Sequence, residues 1–416
     1  MTARLLTPLL VVILAILFGL YQIRLKPLLE VGGFWKEAQD VGGKLKETCI
    51  YVDDLKGCEQ SRLHEPSGVL FLACAPPESR SPWLPFMGTY NTSVAGKGYI
   101  VTYDPSSKKV TRLTAKGFDS PRGLSPFGMD IVPSTRNPDE LTIYVTNMRP
   151  PFVDLDLDLP PGIREAKCDE IASARSKREG PDPSIEVFRY VLGGDSVQHV
   201  ATWTDEKIMI SPNDVVGLPD GKGVWFTNTV PYRTGILNTV SVLLQQKLSS
   251  IGFCGSDGCK LAATGLYGIN GIARSPFASN DTFYVAHSFL GGVSLFTRQS
   301  DNRLLLDEHI KTESGIDNLM VDSKGAIWGA GMPKILVTSA HVRNPTQTTS
   351  APSSVFKITL NTGESSFYGK KYIVEKVLED DGTKVSGIAS AVHDATRGRL
   401  FMHGIVGESL IVCKTK

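Results

Sequence analysis

The sequence predicts an all-β chain, a six-bladed β-propeller behind one hydrophobic N-terminal helix, and three observations predict it. A short β-rich run recurs six times: VLFLACA (69–75), LTIYVTN (141–147), GVWFTN (223–228), TFYVAH (282–287), AIWGAG (326–331) and RLFMHG (399–404). Each is followed by a second β-type run: GYIVTYDP from 98, IEVFRYVL from 185, SSIGFC from 249, GVSLFTR from 292, SSVFKITL from 353 and SLIVCK from 409. Five are preceded by a Gly- or Pro-flanked segment with a polar residue in a constant place (SPFGMDIV, SPNDVVGL, INGIARS, IDNLMVDS, VSGIASAV), and CEQSRLHE fills that slot in the first unit. The period of roughly 60 residues exceeds that of a WD repeat but suits four-stranded blades with loops. A pair of β-sandwiches or a β-helix explains neither six units nor termini brought together.

Composition agrees. The 416 residues are 41% hydrophobic and 21% charged, which excludes disordered and collagen-like classes. Lys+Arg 44 against Asp+Glu 43 leaves a net charge of +1, so nothing draws the chain to nucleic acid. Forty Gly and 25 Pro spread along the chain imply many turns and many short strands.

The elements follow in order. Residues 1–24 are read as a signal-anchor or transmembrane helix, because Leu5 to Ile23 carry no charge and span nearly the roughly 30 Å hydrocarbon core as a helix. No small-residue cleavage site follows, which favours a retained anchor over a cleaved signal peptide. Residues 25–45 form a stem and 46–416 the propeller. Seven Cys and two acceptor sequons, at Asn91 and Asn280, suit a body in the secretory lumen or outside the cell. Cys49 opens the folded region and Cys413 nearly ends it, so a bridge between them would staple the two ends of a closed ring. Cys254 and Cys259 enclose Gly-Ser-Asp-Gly, a turn suited to a local bridge. Cys58, Cys74 and Cys168 remain, and their odd count leaves at least one thiol free.

Two segments interrupt the repeats. Residues 148–184 are Pro-rich and then highly charged, a surface loop with a short helix; their Asp-Leu alternation lacks the glycine and terminal glutamate of an EF-hand. In residues 235–248, Ile236, Leu237, Val240, Leu243 and Leu244 share one helical face. Such a helix caps the core, covers the cleft at the channel mouth or rests on a membrane.

The first segment of each unit becomes the innermost strand of its blade, so equivalent residues converge on the axis. These are Glu59, Asn213, Asn270, Asp317 and Asn318. Two carboxylates and three amides, with no His, form an oxygen set suited to Ca²⁺ ahead of Mg²⁺, and not to zinc. Singly, such residues more often satisfy turn backbones; five in register point to an ion.

CEQSRLHEPSGVLFLA, SPFGMDIV, SPNDVVGL, GINGIARSP, GIDNLMVD and the terminal LIVCK, in that order and spacing, resemble the serum paraoxonase/arylesterase family, which is related to the SMP-30/gluconolactonase propellers. The resemblance covers roughly residues 45–416. It implies that Glu59, Asn213, Asn270, Asp317 and Asn318 hold a catalytic calcium. It implies that Asp214 and the Met129 carbonyl hold a second, structural calcium, and that Cys49 and Cys413 are bridged. It also implies an N-terminal helix retained as an anchor. Two departures stand out. The family's paired catalytic histidines fall on Phe127 and Met148, and an acidic ligand of the second calcium falls on Gln60. None of the seven His (64, 199, 287, 309, 341, 393, 403) replaces the pair, although His287 and His403 end second strands near the cleft.

The implied activity is calcium-dependent hydrolysis of lactones or aryl esters, with Asp317 or Glu59 as base or nucleophile. No G-x-S-x-G elbow offers a serine route. The other reading is a non-catalytic, membrane-tethered binding module that keeps its calcium for stability.

Overall fold

In a computed structural model, residues 3–153, 160–277, 281–346, 350–363, 366 and 369–415 are described. Six antiparallel sheets carry the propeller. Their innermost strands are Cys58–His64, Pro126–Pro133, Pro212–Gly217, Ile269–Arg274, Gly315–Val321 and Ile388–Asp394, and each touches the next around a ring. The recurring runs of the sequence are the second and third strands of every blade. They read as continuous apolar runs because a blade is covered on both faces by its neighbours. Gly223–Asn228, for example, is buried at all six positions. The outer strands lose that cover on one side, and Ser196–Trp203 and Tyr372–Asp380 are largely exposed or half-buried.

The ring closes in its sixth blade. Ile50, Tyr51 and Val52 pair antiparallel with Val412, Ile411 and Leu410, so the first strand of the chain becomes the outer strand of the last blade. The Cys49–Cys413 disulfide clamps that pairing across a sequence separation of 364. Cys254–Cys259 closes its hairpin. Cys58 and Cys74 are also bridged, joining the inner and second strands of the first blade, and Cys168 is the free thiol. The second blade gains a fifth strand, Thr114–Lys116, parallel to Ser196–Gln198.

Three expectations change. The N-terminal helix does not stop near residue 24: Ala3–Leu20 runs through a π turn (Tyr21–Leu25) into Lys26–Val31, and 22 residues from Leu10 to Val31 are apolar enough to cross a bilayer. The chain then docks at Gly33, whose positive φ brings its backbone against Pro333, where an added Cβ would overlap the carbonyl oxygen. The insertion of the second blade holds a 19-residue helix, Pro161–Glu179, and not a short one; its Asp-Leu run, 154–159, lies outside the described residues. The apolar face of 235–248 does not cap the core. Its helix is Ile236–Leu243, and Ile236, Leu237, Leu243 and Leu244 are all more than half exposed.

Candidate metal centre at the mouth of the axis

Pairing register locates the site. Cys58 faces Cys74, Pro126 faces Asn147, Pro212 faces Asn228, Ile269 faces His287, Gly315 faces Met332 and Ile388 faces Gly404. The starts of all inner strands and the ends of all second strands therefore share one rim. The loops joining second to third strands, including the helices at 161–179, 236–243 and 335–343, gather around that rim.

Each inner strand slips register against its partner just inside this rim: between Cys58 and Gln60, Pro126 and Met129, Pro212 and Val215, Ile269 and Ile272, Ile316 and Leu319, and Ile388 and Ser390. A bulge leaves the extra residue unpaired and re-aims it. The residues so released are Glu59, Phe127 with Gly128, Asn213 with Asp214, Asn270 with Gly271, Asp317 with Asn318, and Ala389. All five residues expected to hold an ion are thus bulge residues, in four of the six blades. The second and sixth blades offer Phe127 and Ala389 instead. Close approach at this level requires glycine: a Cβ on Gly271 would lie 2.7 Å from the Asn318 Cα, and one on Gly128 would lie 2.3 Å from the Asp214 Cα.

The site's hydrogen bonds leave one kind of atom over. The Asn318 amide donates to Glu59 Oε1 at 2.7 Å. The Asn270 amide donates to Ser288 Oγ at 2.9 Å and also bonds Asp317. Glu59 Oε2, Asn213 Oδ1, Asn270 Oδ1 and Asn318 Oδ1 are buried with no partner. Buried oxygens that lack a donor are costly, and four at one level of the axis are the donor set a hard cation completes. Burial pushes the Glu59 carboxyl up to about 8, helped by the charges of Asp317 and Asp214 and opposed by the Asn318 amide and Arg80. Burial likewise raises Asp317 to about 7, with the Asn270 hydrogen bond opposing and Asp214 adding. A cation there would let both ionise. Among the described residues no three His, Cys, Asp or Glu converge, so amides must supply much of the shell. The residues fit a calcium ion. A cavity of about 690 Å³ beside Trp328 and His393 lies away from this centre.

The second expected calcium finds no such set. Asp214 Oδ2 already accepts from the Gln60 amide, the Arg62 guanidinium and the Ile272 N–H, each at 2.9 Å. Gln60 Oε1 accepts from the Ser61 N–H at 2.9 Å. Asp214 Oδ1 is the one unpartnered side-chain oxygen among these residues, and Met129 is fully buried in the packing between the first two blades. These residues do not fit a second ion.

The positions of the missing histidines are apolar. Phe127 and Met148 pack with Leu84, Val342 and Val406, and the Phe127 ring meets Phe86 edge-on at 5.2 Å. His287 and His403 do not enter the cleft. His287 Nδ1 donates to the Tyr267 carbonyl and Nε2 meets Ser294 Oγ, and burial brings its pKa down to about 4. His403 Nε2 donates to the Leu55 carbonyl while Nδ1 accepts from the Gly404 N–H. Both rings hold backbone in place.

Sequence reading missed Arg80. Its guanidinium is fully buried over the Phe127 ring, 4.8 Å from the centroid, and donates to the carbonyls of Pro126 and Gly57. Nε has no partner. Burial lowers its pKa to about 10, so it stays charged beside Glu59 at neutral pH. The PESR segment reads as an ordinary polar loop, and nothing in its spacing signals burial. Asn91 is exposed, its Oδ1 accepting from Ser93, and Asn280 lies outside the described residues.

In a comparison with protein families, residues 177–414, more than half of the chain, match the family described as Arylesterase. No curated protein sequence matches significantly. Among solved structures the chain is similar to a gluconolactonase from Xanthomonas campestris, at 13% identity over 92% of this chain and 96% of that one, with a TM-score of 0.47. It is similar to a calcium-binding protein, regucalcin, from Agrobacterium tumefaciens (10% identity, 88% and 95% covered, TM-score 0.43). A luciferin-regenerating enzyme gives 12% identity, 88% and 95% coverage and a TM-score of 0.46. The likeness is of overall shape, and the sheet topology stands without it.

Proposed function

The chain belongs to the arylesterase family, and on that premise we propose that it is a calcium-dependent hydrolase of lactones or aryl esters working at the mouth of the propeller axis. The observation that carries this reading is the set of four buried, unpartnered oxygens beside two carboxylates that burial raises to about 8 and about 7. Calcium bound there would polarise the substrate carbonyl and keep both carboxylates ionised. Asp317 and Glu59 are then the bases or nucleophiles within the site. Arg80 adds a fixed positive charge beside Glu59, suited to negative charge developing on an ester oxygen. The Phe127, Met148 and Phe86 cluster offers an apolar wall for an aryl or acyl group.

We place the body in the lumen or outside the cell, tethered through the N-terminal helix that contains residues 5–23 and continues to Val31. Three disulfides suit an oxidising compartment, and Asn91 and Asn280 would carry glycans. The exposed face of helix 236–243 lies near the tether, because the Gln245 side chain donates to the Arg24 carbonyl. That face would rest on the same bilayer.

The second reading, a tethered binding module without turnover, is favoured by the apolar residues at 127 and 148. Assay of the purified full chain against lactones and aryl esters, with calcium and then with chelator, separates the two. Calcium-dependent turnover supports the hydrolase. Calcium binding without turnover of either class supports the module.

A further inference from the structure

Below the metal centre, the axis is filled by one side chain. Arg62 is buried, and its guanidinium gathers oxygens from the inner strands of five blades. Nη1 donates to the carbonyls of Ser61, at 3.4 Å, and Leu319, at 3.3 Å. Nη2 donates to Asp214 Oδ2 at 2.9 Å and to the Ile272 carbonyl at 3.0 Å. Nε lies 3.8 Å from Asp130 Oδ1. Those groups come from the first, fifth, third, fourth and second blades in turn. The sixth joins through Ser390, whose hydroxyl meets that of Ser61 at 3.0 Å.

We infer that Arg62 is the permanent cation of the axis, a covalently attached substitute for the second, structural metal ion that the family resemblance implies. A metal ion in a propeller channel does two things: it neutralises carboxylates and it ties several blades to one point. The guanidinium does both here. It faces two carboxylates and three carbonyls, all acceptors, and a guanidinium has five N–H donors and no acceptor. Gln60 completes the replacement. An aspartate there would add a third carboxylate to a place with a single guanidinium, whereas the amide donates to Asp214, which as a carboxylate can only accept. Gln60 and Arg62 act together: Gln60, where the resemblance implies an acidic ligand, brings no negative charge, and Arg62, two residues on along the same strand, supplies the positive one.

The consequence is a propeller whose lower axis cannot be emptied by a chelator, leaving one exchangeable ion, at the rim. The test uses the full chain in detergent micelles and counts calcium by native mass spectrometry after dialysis against micromolar calcium. Wild type is expected to hold no more than one ion per chain; two ions overturn the inference. A count of zero would sink the calcium-dependent hydrolase proposed above while still agreeing with an axis filled by Arg62. Arg62→Met strands Asp214 and Asp130, and its melting temperature is expected to fall by roughly 5 °C or more. An unchanged melting temperature overturns the tie between blades. The paired variant Gln60→Asp/Arg62→Ser is expected to bind one ion more than wild type and to gain thermal stability as calcium is added. If that variant folds and its calcium count does not rise, the substitution idea is wrong; if it does not fold, the wild-type count and Arg62→Met decide.

Discussion

Asn318 donates its side-chain amide to Glu59 Oε1 at 2.7 Å, joining residues 259 apart in sequence at the rim of the axis. The bond uses one oxygen of the carboxylate and leaves Glu59 Oε2 and Asn318 Oδ1 unpartnered. Both leftover atoms are acceptors, so neither can satisfy the other while the carboxyl is ionised, and they are the kind of oxygen that the calcium proposed above would take up.

The first prediction concerns pH and chelation. In the metal-free chain the Glu59 and Asp317 carboxyls titrate at about 8 and about 7, above their ordinary values of 4.5 and 3.8. A folded-state value raised this way means the folded chain holds its protons more tightly than the unfolded chain. The stability so contributed is complete below the ordinary values and is lost as pH rises through the folded ones. Chelation should therefore lower the melting temperature more at pH 8.5 than at pH 6, and saturating calcium should flatten that difference. Equal losses at both pH values would contradict the raised carboxylates.

A second prediction isolates the base. Asp317→Asn keeps a calcium-ligating oxygen but removes the carboxylate, so turnover should fall by roughly 10²-fold or more at saturating calcium. Metal occupancy, measured on the same sample, separates lost chemistry from lost metal. Wild-type turnover at full occupancy would remove Asp317 from the mechanism.

Arg80 makes a different prediction, because its charge opposes the raised pKa of Glu59 and also competes with a cation for that carboxylate. Arg80→Met should hold calcium at least as tightly as wild type while kcat/KM falls by roughly tenfold or more. A parallel loss of calcium affinity and rate would mean that Arg80 only supports the ligand residues.

Much of this fold is legible in the sequence, and the limits have physical causes. Second and third strands, such as Gly223–Asn228 and Ser249–Gly255, are packed on both faces and read as unbroken apolar runs. Outer strands such as Lys109–Arg112 and Tyr372–Asp380 are mostly exposed or half-buried, so their polar sequences look like loop. The axial residues are legible as types because a polar residue recurs at one place after a Gly or Pro. That each occupies a bulge is not, since a register shift needs the partner strand. Arg62 stands inside the quoted CEQSRLHE, yet its meaning depends on carbonyls and carboxylates from four other blades. Arg80 is hidden for the same reason, its partners being Gly57, Pro126 and Phe127. Helix 236–243 is legible as amphipathic, but that its apolar face stays exposed is not, since that depends on where the loop leaves the third blade.

The last prediction tests whether the lost histidines limit the rate. Phe127 is a bulge residue of the second blade, at the same register level as Glu59, Asn213, Asn270 and Asp317, and Met148 lies close beyond it at the end of the neighbouring strand. Both are buried, and the Arg80 guanidinium lies over the Phe127 ring. An imidazole placed there by Phe127→His would be desolvated and would face a positive charge, and both effects disfavour its protonated form. It would remain a neutral base at pH 7. With Met148→His to orient it, the pair should raise lactone turnover at saturating calcium, against a loss of stability from two polar groups placed in an apolar cluster. The melting temperature should fall while kcat rises. A folded double variant that binds calcium and shows no gain in turnover would mean that the carboxylates, and not a missing histidine pair, set the rate.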